Sequence, residues 1–208
     1  MASVVDICNL ALSFLGDAGR VSAIDPPDGS VQAERCKRFY PIARQTLLER
    51  HDWRFATKRQ TIAAQLVTTE LPEEWSYAFA RPSECLRIIH ILPVGAVGSH
   101  QATSYDAGAL LDGTQVIFSN EESIDVLAVF DVTDTSKYSG LFTAALARLL
   151  AHYLAGSSVK GAPGVRLGLD LLKLFTSFDF PTAVAADTSE RREELWKDFI
   201  PSSLEARR

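Results

Sequence analysis

The alternation of apolar and polar positions divides the chain into three stretches, helical, strand-like and helical again. The first, up to about residue 53, is helical. Ser3-Val4-Val5-Asp6 has the form of an N-cap with an acidic residue three positions on, a variant of the capping box. The helix it opens, residues 3–15, is apolar on nearly every side, which predicts a central place in the fold, and Gly16 ends it. Ile24 to Ser30 reads as a turn that hands over to Ser30 as the next N-cap. In the helix predicted over 30–53, Ala33, Cys36, Tyr40, Ala43 and Leu47 recur at spacings of three and four and define one buried stripe. Arg35, Arg38, Gln45 and Glu49 take the opposite face, and Lys37 and Arg44 one flank. Pro41 cannot donate to the Lys37 carbonyl, a loss of about 3 kcal/mol in a helix interior, so a kink or split is expected there.

After Trp53 the period shortens. Strands are expected at 54–62, 77–80 and 87–92, and again where Ile124, Val126, Ala128, Phe130 and Val132 alternate. Asp112-Gly113 between apolar runs signals a hairpin. Pro93 to Ala109, seventeen residues with three glycines, is expected to be a mobile tip. Helix returns at 139–155, with Leu141, Ala144, Ala145, Arg148, Leu149, His152 and Tyr153 on a broad face and Gly156 as its stop. A last helix over 163–187 is disturbed at Pro181. Helix pair, sheet, helix pair predicts an α+β fold. It is mainly helical, a four-helix bundle with a small antiparallel β-sheet inserted between the two helix pairs, spanning 1–187 with a C-terminal arm over 188–208.

Composition narrows the function classes. With 208 residues and 47% apolar content, the chain can bury a core of its own. No run approaches the roughly 18 apolar residues of a membrane span, and the start lacks a basic leader, so neither an anchor nor a secretory signal is expected. Three widely spaced cysteines, Cys8, Cys36 and Cys85, fit buried thiols in a reducing compartment better than a disulfide framework. A net charge of −5 argues against a general nucleic-acid binder. The charge is uneven: residues 1–104 carry eleven Lys/Arg and eleven Asp/Glu, and residues 105–208 carry ten against fifteen. Between Glu34 and Arg59, eight cations face three acids, a local basic ridge on the second helix.

Candidate chemistry is sparse, and no catalytic, metal-binding or cofactor-binding residue is predicted. No Gly-x-Ser-x-Gly elbow occurs, and Gly161-Ala162-Pro163-Gly164 with Gly168 lacks the Gly-Lys-Ser/Thr of a phosphate loop, leaving a loop and a tolerated helix glycine. His51, His90, His100 and His152 are scattered, and Cys85 with His90 is too isolated for a metal site. The paired acids Glu73/Glu74, Glu121/Glu122 and Glu193/Glu194 read as solvated surface. Near the end, Leu195, Trp196, Phe199 and Ile200 form a short apolar stripe before Pro201, and Arg207 and Arg208 follow. Apolar residues this late must fold back on their own domain or dock onto another chain.

Several blocks together resemble a known family. Asn9-Leu10-Ala11-Leu12 with Leu15-Gly16, then Ala33, Cys36, Tyr40-Pro41 and Leu47-Leu48, then His51-Asp52-Trp53-Arg54-Phe55-Ala56, are similar to the start of the phage tail tubular protein A family. Trp75 to Phe79 and Pro82 to Arg87 continue the likeness, which extends in weaker form to about residue 187. Pro181 with Phe178 and Phe180 departs from the smoother, more charged last helix of the family. The resemblance implies a non-enzymatic virion protein of short-tailed phages, assembled in the bacterial cytoplasm. Such head-to-tail adaptors form a ring, usually of twelve copies, between portal and tail nozzle, and double-stranded DNA passes through it without sequence-specific binding. In that frame Leu195, Trp196, Phe199, Ile200, Arg207 and Arg208 are expected to dock on the portal protein. Arg35, Lys37, Arg38 and Arg44 are expected to contact the next subunit or the portal. Gly95, Gly98, His100, Tyr105, Asp112 and Gly113 are expected to face the nozzle, a tail tubular protein B-like partner. Trp53 and Phe55 are read as the joint between helices and sheet, not a ligand pocket. Two alternatives come from other classes: an accessory enzyme acting on the host cell wall with Glu73 or Glu84 as acid, and a basic-helix nucleic-acid-binding module.

Overall fold

The computed structural model of the chain describes residues 2–96 and 99–189. Helix α1 (Val4–Phe14) starts with a complete capping box between Ser3 and Asp6, and α2 (Val31–Glu49) with Ser30 accepting from Ala33 N at 3.1 Å. The stripe from Ala33 to Leu47 is buried, as its spacing requires. Pro41 lies in one uninterrupted helix, so the expected split does not occur. After six strands come α3 (Gly140–Ser158), α4 (Ala162–Leu174) and α5 (Phe180–Ser189).

The helical layer is centred on α3, not on α1. Helix α3 packs against α1, α2, α4 and α5, and Ala145, Leu146, Ala147, Leu149, Leu150 and Ala151 are buried around its whole circumference. Gly156 does not stop it. The close approach of α4 has a specific cause: a Cβ on Gly164 would stand 1.8 Å from the Val159 carbonyl oxygen, and one on Gly168 would stand 3.3 Å from Ala155 Cβ. His152 Nδ1 lies 2.8 Å from Gly168 O, so that nitrogen carries a proton and donates it. Pro181 is accommodated by a widened π-turn, Phe175–Asp179, in which Phe180 N–H reaches back five residues to Phe175 O.

Between the helix pairs the chain builds two antiparallel three-stranded sheets. One has the order β1 (Thr57–Ile62), β6 (Ile124–Phe130), β3 (Cys85–Pro93); the other has β2 (Tyr77–Ala80), β5 (Gln115–Ser119), β4 (Tyr105–Ala109). The α+β composition stands, but the expected helical bundle with one small sheet does not. The physical reason lies in β6 and β5. Val126, Ala128 and Phe130 need cover on one face of β6 while Val129 is buried against the helices on the other. A single half-exposed sheet cannot supply that cover; the second sheet does, through Phe79 and Ile117. The outer face of the second sheet, Ala78, Val116 and Phe118, is roofed by Leu66, Leu71 and Trp75. The expected tip over 93–109 is shorter than predicted: Thr103 bonds to Ile91, and Tyr105–Ala109 is strand β4.

Candidate functional site

The exit of α2 forms the joint between the layers. Trp53 is fully enclosed; its Nε1 donates to Leu47 O at 2.9 Å, and its ring meets Phe142 of α3 edge-on at 4.9 Å. Phe55 meets the same Phe142 ring at 4.9 Å. His51 Nε2 lies 3.0 Å from Asp187 Oδ2 on α5, and Arg54 N–H donates to Asp187 Oδ1 at 3.1 Å. Arg87 of β3 donates to Glu49 O at 3.1 Å and pairs with Asp52. One hexapeptide thus ties α2, α3, α5 and β3 together, and the space around Trp53 is filled by protein.

Arg44 belongs to this internal framework. It is 8% exposed, and its Nε and terminal nitrogen each lie 2.8 Å from an oxygen of Asp131, the residue after β6, where Gln45 adds a bond at 3.0 Å. Burial pushes the Asp131 carboxyl up, but the hydrogen bonds and charge of Arg44, with Gln45, outweigh it and hold the group below its ordinary value. The expected contact of Arg44 with a neighbour is therefore corrected: its guanidinium is spent within the subunit. Lys37 is shared differently, in an exposed pair with Asp25 at 3.1 Å that leaves it open to other anions.

The remaining two arginines lie on the outward face of α2. Arg38 is exposed and Arg35 half-buried, and among the described residues neither guanidinium has an ion-pair partner. They line a shallow pocket of about 320 Å³ with Val31, Phe39 and Ser157. Val31 and Ile42, 60% and 49% exposed, stand on the same face. On α4 and the π-turn after it, Val165 and Leu169 on one flank and Leu174 and Phe178 on the opposite flank are each at least half exposed.

The residues expected at the nozzle are not gathered at one place. Tyr105 pairs with Ser119, and the short link from Ser119 to Ile124 brings that end of the second sheet near Pro93, the partner of Ile124, and hence near Gly95 and His100. The turn with Asp112 and Gly113 lies beyond Ala109 and Gln115, at the opposite end of the same strands. Gly113 takes φ 86°, and Asp112 caps the turn by accepting from Thr114 N at 2.8 Å, which holds its carboxyl below the ordinary range. Tyr105 is half-buried against the core between the sheets. Gly98 and the arm residues Leu195, Trp196, Phe199, Ile200, Arg207 and Arg208 lie outside the described residues.

Placed on the fold, the charge asymmetry sharpens. Residues 57–131, the sheet region, hold four Lys/Arg against ten Asp/Glu, so the acidic excess belongs to the sheets. Of the candidate acids, Glu73 is exposed on a loop, and Glu84 borders a shallow groove shared with Lys58, Asp134 and Lys137. Among the described residues no group of three or more His, Cys, Asp or Glu is placed to hold a metal, and no helix is long and apolar enough to cross a membrane. No family model matches the chain, and no curated protein matches it.

Proposed function

We propose that the chain is a structural head-to-tail adaptor of a short-tailed phage, acting by assembly into a ring between portal and tail nozzle. One observation carries the reading: the subunit leaves large apolar side chains in water on two separate and chemically different helices. On α2 these are Val31 and Ile42, beside Arg35 and Arg38, which have no ion-pair partner among the described residues; on α4 and its π-turn they are Val165 with Leu169 and, on the opposite flank, Leu174 with Phe178, which is 68% exposed. Exposed apolar faces of this kind mark surfaces that are covered in an assembly. Two unlike faces on one subunit suit a heterologous, head-to-tail contact, which closes a ring when the rotation permits. The family resemblance of the Asn9–Arg87 block supplies the portal and nozzle as partners. The acidic balance of the sheet region suits a passage through which DNA moves without being gripped.

The test is sedimentation of the purified chain with the portal protein of the same virion. The adaptor reading expects a single co-migrating assembly whose stoichiometry saturates. A folded chain that stays apart from the portal at every mixing ratio overturns it.

A further inference from the structure

We propose that neighbouring copies of this chain join by strand addition, the free edge of β4 in one copy pairing with the free edge of β1 in the next. This specifies one contact of the ring and rests on the adaptor reading.

Two three-stranded sheets have four edges, and the chain treats them unequally. The outer edge of β2 is occupied by the Gln65–Leu66 segment, where Leu66 N–H donates to Ala78 O at 2.7 Å. The outer edge of β3 is occupied by Thr103, whose N–H donates to Ile91 O at 2.9 Å. Among the described residues no backbone segment covers β1 or β4. Among the described residues one open edge therefore remains in each sheet.

The β4 edge is guarded in a reversible way. Leu110 N–H points inward to Thr114 O, so the alternation of the strand turns the backbone groups of Asp106 and Gly108 toward β5 and those of Tyr105, Ala107 and Ala109 outward. The outward Ala107 N–H is met by the carboxylate of its own neighbour, Asp106 Oδ1, at 2.8 Å. A surface side chain holds the place that the carbonyl of an added strand would take, and it leaves by a rotation. Unpaired edges are templates for strand addition, and a charge on the edge is the usual safeguard against unwanted pairing.

The safeguards on the two edges have opposite sign, which selects the occupant. Strand β1 is exposed over its middle and carries Lys58 and Arg59, whereas β4 carries Asp106. Arg59 is held by Asp125 at 2.6 Å and by Ala96 O at 2.7 Å. Lys58 stands over the Phe130 ring at 5.5 Å with no carboxylate partner among the described residues. Like edges repel and unlike edges attract, so β1 does not pair with β1 nor β4 with β4, while β4 against β1 brings opposite charges together. Because the edges belong to different sheets, the contact is head-to-tail, the kind that a closed ring repeats.

The experiment is sedimentation velocity of the full chain over rising concentration, comparing the wild type with Ala107→Pro, Lys58→Asp, Asp106→Lys and the double swap Lys58→Asp/Asp106→Lys. Ala107→Pro deletes an N–H that takes no part in the ladder with β5, so the monomer is expected to keep its circular dichroism and melting temperature. The wild type is expected to self-associate. Ala107→Pro abolishes that association, each single reversal weakens it by about threefold or more, and the double swap restores it. Association unaltered by all four variants overturns the edge contact and leaves the adaptor reading standing. A wild type that stays monomeric at every concentration also overturns it, and the adaptor reading is then judged by co-sedimentation with portal alone. Should Ala107→Pro disturb the fold, the charge swaps decide the matter without it.

Discussion

At the scale of single residues, the most consequential arrangement is a bidentate ion pair at the base of the sheets. Arg44 and Asp131 exclude water from one another's charge, and each is needed to satisfy the other. Removing one partner leaves the other buried and unpaired, so Asp131→Ala is expected to destabilise the chain by about 3 kcal/mol or more in urea unfolding. Acid acts on the same groups. Asp125 and Asp131 both titrate below the ordinary carboxylate range; burial opposes this, and hydrogen bonds from Thr61 and Arg59, or from Arg44 and Gln45, prevail. A carboxyl with a depressed folded pKa contributes stability that is present above its unfolded value, near pH 4, and lost as pH falls through the folded value. The denaturant midpoint is therefore expected to drop steadily below about pH 4, and Asp131→Asn should make that drop shallower. The sequence placed Arg44 on the flank of a helix, but it gave no sign that the flank would meet the end of β6, 87 residues on. A cation with a buried partner and one that waits for a neighbour have the same spacing.

Individual elements were legible where local chemistry decides them. The Ser3 and Ser30 caps, the stripe of α2 and the Asp112-Gly113 turn depend on residues within a few positions of each other, and all form as their spacing predicts. Strand β4 was missed because Tyr-Asp-Ala-Gly-Ala has no β-branched residue; it is a strand because β5 beside it offers a ladder. Gly164 and Gly168 read as a loop and a tolerated glycine, yet they set the distance between α3 and α4. Gly164→Ala is expected to push α4 away from α3, lower stability by about 1–3 kcal/mol and lower the melting temperature, because its methyl would meet the Val159 carbonyl. Alanine raises helix propensity relative to glycine, so a stabilised variant would refute this packing role.

For the molecule as a whole, the helical layer and the acidic sheet pair are joined by the segment from His51 to Ala56, which fixes how one leans on the other. Order of elements could be read from sequence because it follows the chain. The number of sheets could not, since it depends on which strands cover both faces of β6. The outward arginines of α2 follow from helical period alone, and they now stand apart from Arg44, whose guanidinium is bound to Asp131. Arg35→Glu with Arg38→Glu is expected to leave the folded subunit intact, because neither side chain has an internal ion pair among the described residues. The same change should weaken assembly and reduce its sensitivity to salt, read by sedimentation at low and high ionic strength. Electron microscopy of the purified chain mixed with its portal bears most directly on assembly into a ring. A ring of extra density at one end of the portal is expected; portals that stay bare beside free, folded chain would rule the adaptor role out.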